Sequence, residues 1–159
     1  MINLTKLGWD AKTLGEIDHQ KVKPPYVRLS TYTTGEKGDI VYFYDLRIAQ
    51  PNAKSLTTKV LHSFEHLLLA GFRKQLGEHF ICVAPMGCQT GFYLVLLNEG
   101  EAEKICALYA TILLDILQTD NVPYASVVNC GQAVHHDLSS SKALARELLS
   151  HKADWRQVL

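Results

Sequence analysis

His62 and His66 stand four residues apart in the run His62-Ser63-Phe64-Glu65-His66, inside an apolar stretch that reads as a helix. On a helix that spacing puts the two side chains on neighbouring turns, with Cβ atoms roughly 6 Å apart. Both imidazoles can then reach one divalent cation. Glu65 falls at the edge of the same face, where it can take or return a proton on whatever the cation holds. The order matches the H-x-x-E-H arrangement of ligands and base. A lone histidine on an apolar helix is usually a satisfied core residue; two at this spacing with a carboxylate between them favour a metal.

An open catalytic site needs a third protein ligand. Cys130 follows a strand-like run, precedes Gly131 and lies in a polar segment where a core cysteine is out of place. His135, His136 and Asp137 compete for the role, although adjacent polar residues in a loop are commonly solvated. Cys88 lies between Gly87 and Gly91, where the backbone can turn tightly and present a thiol to a pocket; the bland alternative is a small buried residue at a strand end. A neighbouring cation would make it a thiolate, able to act as nucleophile or proton carrier. Cys82 and Cys106 read as core packing. Arg47 ends a strand before Gln50-Pro51-Asn52, and an exposed salt bridge is its simplest role. Asp18-His19 gives no chemistry by itself.

The elements that must position these groups follow from the pattern. Runs 25–33 and 39–48 are rich in Tyr, Val, Thr and Ile and flank Thr34-Gly35-Glu36-Lys37-Gly38, a hairpin signal. Pro51-Asn52 breaks the second strand, Ser55 or Thr57 can cap a helix over 56–76, and Gly77 ends it. Val60, Leu61, Phe64, Leu67, Leu68, Leu69 and Phe72 make its centre apolar nearly all round, so a buried helix is expected. Strands over 79–84 and 91–98 flank the Cys88 loop. A helix over 100–118 carries apolar residues at i, i+3, i+4 and i+7. A last strand over 124–129 and a last helix over 139–150 complete the reading. Strands in hairpin order with helices covering one face imply an α+β fold, an antiparallel sheet packed against helices, in one domain over 1–159.

The 159 residues carry 16 basic and 16 acidic side chains with no basic stripe, so nothing in the charge suits nucleic acid or an anionic membrane. No apolar run approaches the ~20 residues of a membrane span, and the first residues lack the order of a signal peptide. A soluble, cytoplasmic protein with reduced thiols is expected.

Taken together, several segments resemble the S-ribosylhomocysteine lyase family, which makes the precursor of autoinducer-2 in the activated methyl cycle. The matching stretches are Asp18-His19 through Pro25-Tyr26-Val27-Arg28, Asp45-Leu46-Arg47 with Gln50-Pro51-Asn52, and His62 through Leu68. Pro85 through Tyr93, Asn129-Cys130-Gly131-Gln132-Ala133 and His136-Asp137-Leu138 continue the match, in the family's order over about 14–150. The resemblance implies a metal on His62, His66 and Cys130, one per subunit, with Fe(II) native and Zn(II) or Co(II) able to replace it. It implies Cys88 and Glu65 as the acid/base pair, His19 and Arg47 as substrate-binding residues, and a homodimer with the active site at its interface. Three departures are Leu14 where a serine is common, Cys82 where an acidic residue is common, and Ser139-Ser140-Ser141 in place of a glycine-containing turn.

The implied reaction moves a sugar carbonyl from C1 to C2 and then C3, after which homocysteine leaves C5 by β-elimination, giving 4,5-dihydroxy-2,3-pentanedione. Each step needs a Lewis acid on the carbonyl oxygen and a base at the neighbouring carbon. A thiolate ligand suits an ion such as Fe(II). Two other readings explain the H-x-x-E-H: a small metallopeptidase, which leaves Cys88 and Cys130 idle, and a metal-storage or sensor module, which requires four protein ligands.

Overall fold

The computed structural model describes residues 2–159; Met1, the first residue of the stretch read as lacking a leader, lies outside them. Four strands, β1 (Tyr26–Thr34), β2 (Ile40–Arg47), β3 (Phe80–Pro85) and β4 (Gly91–Leu97), form one sheet in the order β1-β2-β4-β3. Every neighbouring pair is antiparallel. Three helices, α1 (Thr58–Leu76), α2 (Ala102–Gln118) and α3 (Leu138–Ser150), complete the α+β architecture.

The first hairpin turns where the glycines placed it: Gly38 adopts φ 93° and Gly35 N–H bonds the Asp39 carbonyl at 2.7 Å. Side chains then alternate across the sheet. Tyr42, Tyr44, Leu46, Phe92, Leu94 and Leu96 are buried, in one core with Phe64, Leu68 and Phe72 of α1 and Ile105, Tyr109 and Leu113 of α2. Along the same strands Phe43 and Tyr93 are left exposed, as is Ile81 of β3.

α1 begins at Thr57, whose hydroxyl accepts a hydrogen bond from Val60 N–H, and ends at Gly77 with φ 54°. Thr57, not Ser55, is the cap. The helix is not buried all round. Phe64, Leu67, Leu68 and Phe72 face the core, whereas His62, Glu65, His66 and Leu69 are half-buried. The histidine side is therefore open to a ligand.

Two further expectations of the fold fail. Residues 124–129 form turns, closed by short-range bonds from Ser126 N–H to the Tyr124 carbonyl and from Cys130 N–H to the Ser126 carbonyl. Val127 and Val128 supply β-branched propensity but no strand pairs with them, and both stay exposed. Cys82 is exposed rather than core, because the register shifts between Phe80 and Cys82 and takes the thiol off the buried face. Cys106 is half-buried against the core, and burial pushes its thiol up to about 11.

Candidate metal and catalytic site

Two groups of chemistry-bearing side chains emerge. The first is built by α1 and the loop before α3. His62, His66, Cys130 and His136 place one ligand atom each within 4.8 Å of one another. His62 Nδ1 lies 3.0 Å from the His135 carbonyl and His66 Nδ1 lies 2.7 Å from the Pro123 carbonyl. A carbonyl only accepts, so both nitrogens carry the proton, and in the neutral imidazole that tautomer leaves the Nε2 lone pair free for a ligand. Orientation of a ligating imidazole by its second nitrogen is the usual support of a metal site.

His136 follows by the same count. Its Nδ1 is 3.3 Å from Ser63 Oγ, which donates to the Lys59 carbonyl at 2.8 Å and accepts from Asp137 N–H at 2.7 Å. The one hydroxyl proton is committed, so His136 Nδ1 donates and its Nε2 is also bare. Cys130 Sγ is 3.4 Å from His62 Nε2 and 3.7 Å from His136 Nε2, and accepts Gln132 N–H at 3.4 Å. Burial first, then the neighbouring His62, His66 and His135, hold the His136 imidazole below its ordinary pKa, in the neutral form that ligates.

Three imidazole lone pairs thus share a space with one sulfur, and a single thiol proton can serve only one of them. A cation would satisfy all four. A tetrahedral ion with typical metal–nitrogen and metal–sulfur bonds sets nitrogen and sulfur about 3.6 Å apart, and the separations of 3.4 and 3.7 Å bracket that value. The donor set fits a divalent transition metal. Of the competitors for a ligand position, Asp137 instead caps α3, accepting from Ser140 N–H at 2.9 Å, and His135 Nε2 meets Thr58 Oγ1 at 3.0 Å. Glu65 is half-buried on α1 between the two histidines.

The second group surrounds Cys88. The β3–β4 loop turns through Gln89 at φ 59°, and Gln89 N–H bonds the Met86 carbonyl at 2.8 Å. The Gln89 carbonyl then accepts Leu56 N–H at 2.8 Å, tying the thiol loop to the approach of α1. Cys88 is exposed, so the buried strand-end reading fails. Thr90 Oγ1 accepts from Arg47 Nη1 at 2.6 Å, which frees its own proton for Cys88 Sγ at 3.0 Å. Arg47 Nη1 also points at that sulfur from 3.7 Å. Burial acts to raise the Cys88 thiol, but the hydrogen bonds from Thr90 and the Arg47 charge outweigh it, and the net shift is downward.

Arg47 corrects the sequence reading most sharply. It is 4 % exposed, not a surface salt bridge. Its Nη2 and Nε donate to Asp45 at 3.0 and 3.1 Å. Asp45 also accepts from Arg28 Nε at 3.2 Å and from Tyr26 Oη at 3.1 Å. Burial, then Asp45, push the Tyr26 hydroxyl up to about 12, so it stays a neutral donor. Two guanidiniums around one carboxylate leave a net positive charge beside Cys88.

His19, Arg47, Cys88 and Thr90 line one cleft of about 420 Å³. A second cleft of about 560 Å³ shares His19 and Arg47 and adds Arg28, Asp45 and Tyr93. His19 is exposed, its carbonyl bonded by Gln50 Nε2 at 3.1 Å. Among the described residues, neither cleft is lined by Glu65 or by a member of the histidine–cysteine cluster. Sequence reasoning missed Ser63, Thr90 and Asp45. A serine inside the apolar run of α1 was the available signal for the first.

Residues 15–159 match the family model described as S-Ribosylhomocysteinase (LuxS). The chain belongs to that family. It is 44 % identical over 142 residues to the S-ribosylhomocysteine lyase of Halobacillus halophilus, covering 89 % of this chain and 93 % of that one. The lyase of Dichelobacter nodosus is also 44 % identical, with 89 % and 92 % covered. That of Listeria monocytogenes serovar 1/2a is 40 % identical, with 89 % and 91 % covered. The match includes both groups of side chains, so the resemblance drawn from the motifs holds. No helix among the described residues is long and apolar enough to cross a membrane.

Proposed function

We propose that residues 1–159 act as one lyase domain that cleaves the thioether of S-ribosylhomocysteine to homocysteine and 4,5-dihydroxy-2,3-pentanedione, a carbon–sulfur lyase activity that makes the autoinducer precursor. The observation that carries this is the convergence of three Nε2 lone pairs and the Cys130 sulfur in a chain of the LuxS family. His62, His66 and Cys130 hold the metal, Fe(II) in the cytoplasmic enzyme, with Zn(II) or Co(II) as substitutes. When bound, the metal supplies Lewis acidity toward the oxygens of the opened sugar.

Everything else falls to the side chains. Cys88, kept toward thiolate by Thr90 and Arg47, removes and returns protons on the sugar carbons. Glu65 moves hydroxyl protons and assists the final elimination. Arg47 holds its guanidinium against Asp45 and offers the remaining positive charge to substrate oxygens. His19 closes the same cleft over the substrate.

Cys88 and the metal cluster must face one substrate. A homodimer in which the Cys88 cleft of one protomer meets the metal cluster of the other provides this, and His19 and Arg47 would then travel with Cys88 as visitors. The exposed Val127, Val128 and Val134 around Cys130, and Phe43 and Tyr93 on the sheet, supply apolar surface for such an interface.

A closed metal-storage module is the second reading, favoured by the fourth side chain, His136, in the cluster. It gives no task to the Cys88 cleft. The discriminating experiment supplies S-ribosylhomocysteine and follows free homocysteine thiol with and without a chelator. Release that stops on chelation supports the lyase; no release from metal-loaded protein overturns it.

A further inference from the structure

We infer that Arg28 is a positioning residue for the Cys88 cleft: its guanidinium clips the root of the loop that carries His19 to Asp45, the carboxylate on which Arg47 is anchored. The inference rests on the proposed task of His19 and Arg47 in holding substrate, and it adds the residue that fixes one relative to the other.

Strand register sets up the clip. Arg28 of β1 stands directly opposite Asp45 of β2, and Tyr26 directly opposite Arg47. Residues two apart on a strand share a face, so these four side chains form one block. Val27 and Leu29, the alternate residues of β1, belong to the core, which puts the block on the other face of the sheet. All four are nevertheless buried. The stretch leading into β1 folds over them: the Thr13 and Gly15 carbonyls meet Arg28, and Ile17 and Val22 cluster with Tyr26.

Arg28 divides its donors between the two sides. Its Nη1 donates to the Thr13 carbonyl at 2.6 Å and to the Gly15 carbonyl at 2.8 Å, while Nε donates to Asp45 at 3.2 Å. Both Nη1 protons are thus taken by the loop root, in the fixed fork that a lysine ammonium lacks. Each side is itself held. Thr13 precedes the stretch matched by the family model and ends a segment seated on the start of α2. There Trp9 Nε1 donates to the Gly100 carbonyl at 2.7 Å, and the Leu7 carbonyl accepts Ala102 N–H at 2.9 Å. Gly15 N–H donates to the Ser30 carbonyl at 2.7 Å, which lays the loop along the edge strand β1. Across the clip, Asp45 accepts Arg47 Nε and Nη2. His19 follows Gly15 by four residues and lines both clefts together with Arg47. Among the described residues, the Arg28 side chain alone is hydrogen-bonded both to the loop and to the anchor of Arg47.

The test is a cycle of Arg28→Lys, His19→Ala and the double variant in the metal-loaded full chain, with S-ribosylhomocysteine as substrate. Arg28→Lys keeps a cation beside Asp45 and loses the fork. It should lower kcat/KM on the order of 10²-fold. In the His19→Ala background it should cost almost nothing more, because the side chain it positions is gone. Full additivity of the two losses overturns the inference, as does a parent kcat/KM in Arg28→Lys. Amide hydrogen exchange of the same proteins without substrate is a readout independent of turnover. Residues 14–25 should exchange faster in Arg28→Lys while α1 and α2 keep the wild-type protection. Unchanged exchange over 14–25, or acceleration spread evenly over the chain, overturns the clip. In wild type itself the Arg28 guanidinium protons should exchange slowly by NMR; fast, averaged signals overturn the clip without any substitution. If wild type releases no homocysteine, the lyase reading falls, and the exchange and guanidinium results still decide the clip.

Discussion

Burial acts to raise the Cys88 thiol, but the Thr90 hydroxyl, the Thr90 backbone N–H and the Arg47 guanidinium around it outweigh that and hold it below its ordinary pKa. Its pKa is lowered, so thiolate exists at a lower pH than for an ordinary cysteine, and removing either neighbour must move its formation to higher pH. Arg47→Ala and Thr90→Val should each shift the midpoint of the iodoacetamide alkylation profile upward; an unchanged profile would show that solvent alone sets this thiol. None of that was legible in the sequence. The motif placed Cys88 in a glycine-flanked loop, but Arg47 lies 41 residues away in the chain and reaches the thiol only through the pairing of β2 with β4. Its burial depends on Asp45, two residues earlier on the same side of the strand, and on Arg28 across the hairpin. That His136 turns toward the cluster and His135 toward Thr58 was hidden for a similar reason. Neighbouring histidines have equal claims until Ser63 fixes how the loop meets α1.

At the scale of elements, local signals were readable and docking was not. The Thr57 cap, the Gly77 stop and the glycine hairpin are each decided within a few residues, and the structure keeps them. Strand order, the shifted register at Cys82 and the turns over 124–129 depend on which partners are in reach, and propensity carries no such information. The Ser139-Ser140-Ser141 departure is now explained: Asp137 caps α3 through Ser140 N–H and accepts the Ser140 hydroxyl at 2.7 Å, so the serines build the first helical turn. Asp137→Ala should cost about 0.5–2 kcal/mol of stability, read from the denaturant midpoint; no change would mean the cap bears no weight. Gly71 tests the packing of α1 on α2. A Cβ there would come within 2.5 Å of Ile112 Cγ2, so Gly71→Ala should destabilise by about 1–3 kcal/mol. A neutral result would show that the two helices can separate at no cost. Leu14 is half-buried and packs against the core, and nothing in the structure explains why leucine stands there in place of serine.

For the whole molecule, the chemistry-bearing side chains fall into two groups: a cleft lined by Cys88, Arg47 and His19, and a cluster of His62, His66, Cys130 and His136 that could hold a metal. The proposed homodimer would join them, and sedimentation at working concentrations should then show about twice the 17.8 kDa chain mass. An active monomer would contradict the shared site. In the proposed lyase an intact metal site and the Cys88 thiolate act together on one substrate. Its most direct test is metal content measured beside homocysteine release in Cys88→Ala, with Glu65→Gln and His62→Ala as references. Cys88→Ala and Glu65→Gln should keep their metal and lose at least about 10²-fold in release, while His62→Ala should lose metal and release together. A Cys88→Ala protein that turns over S-ribosylhomocysteine at the parent rate would show that the thiolate takes no part in the reaction.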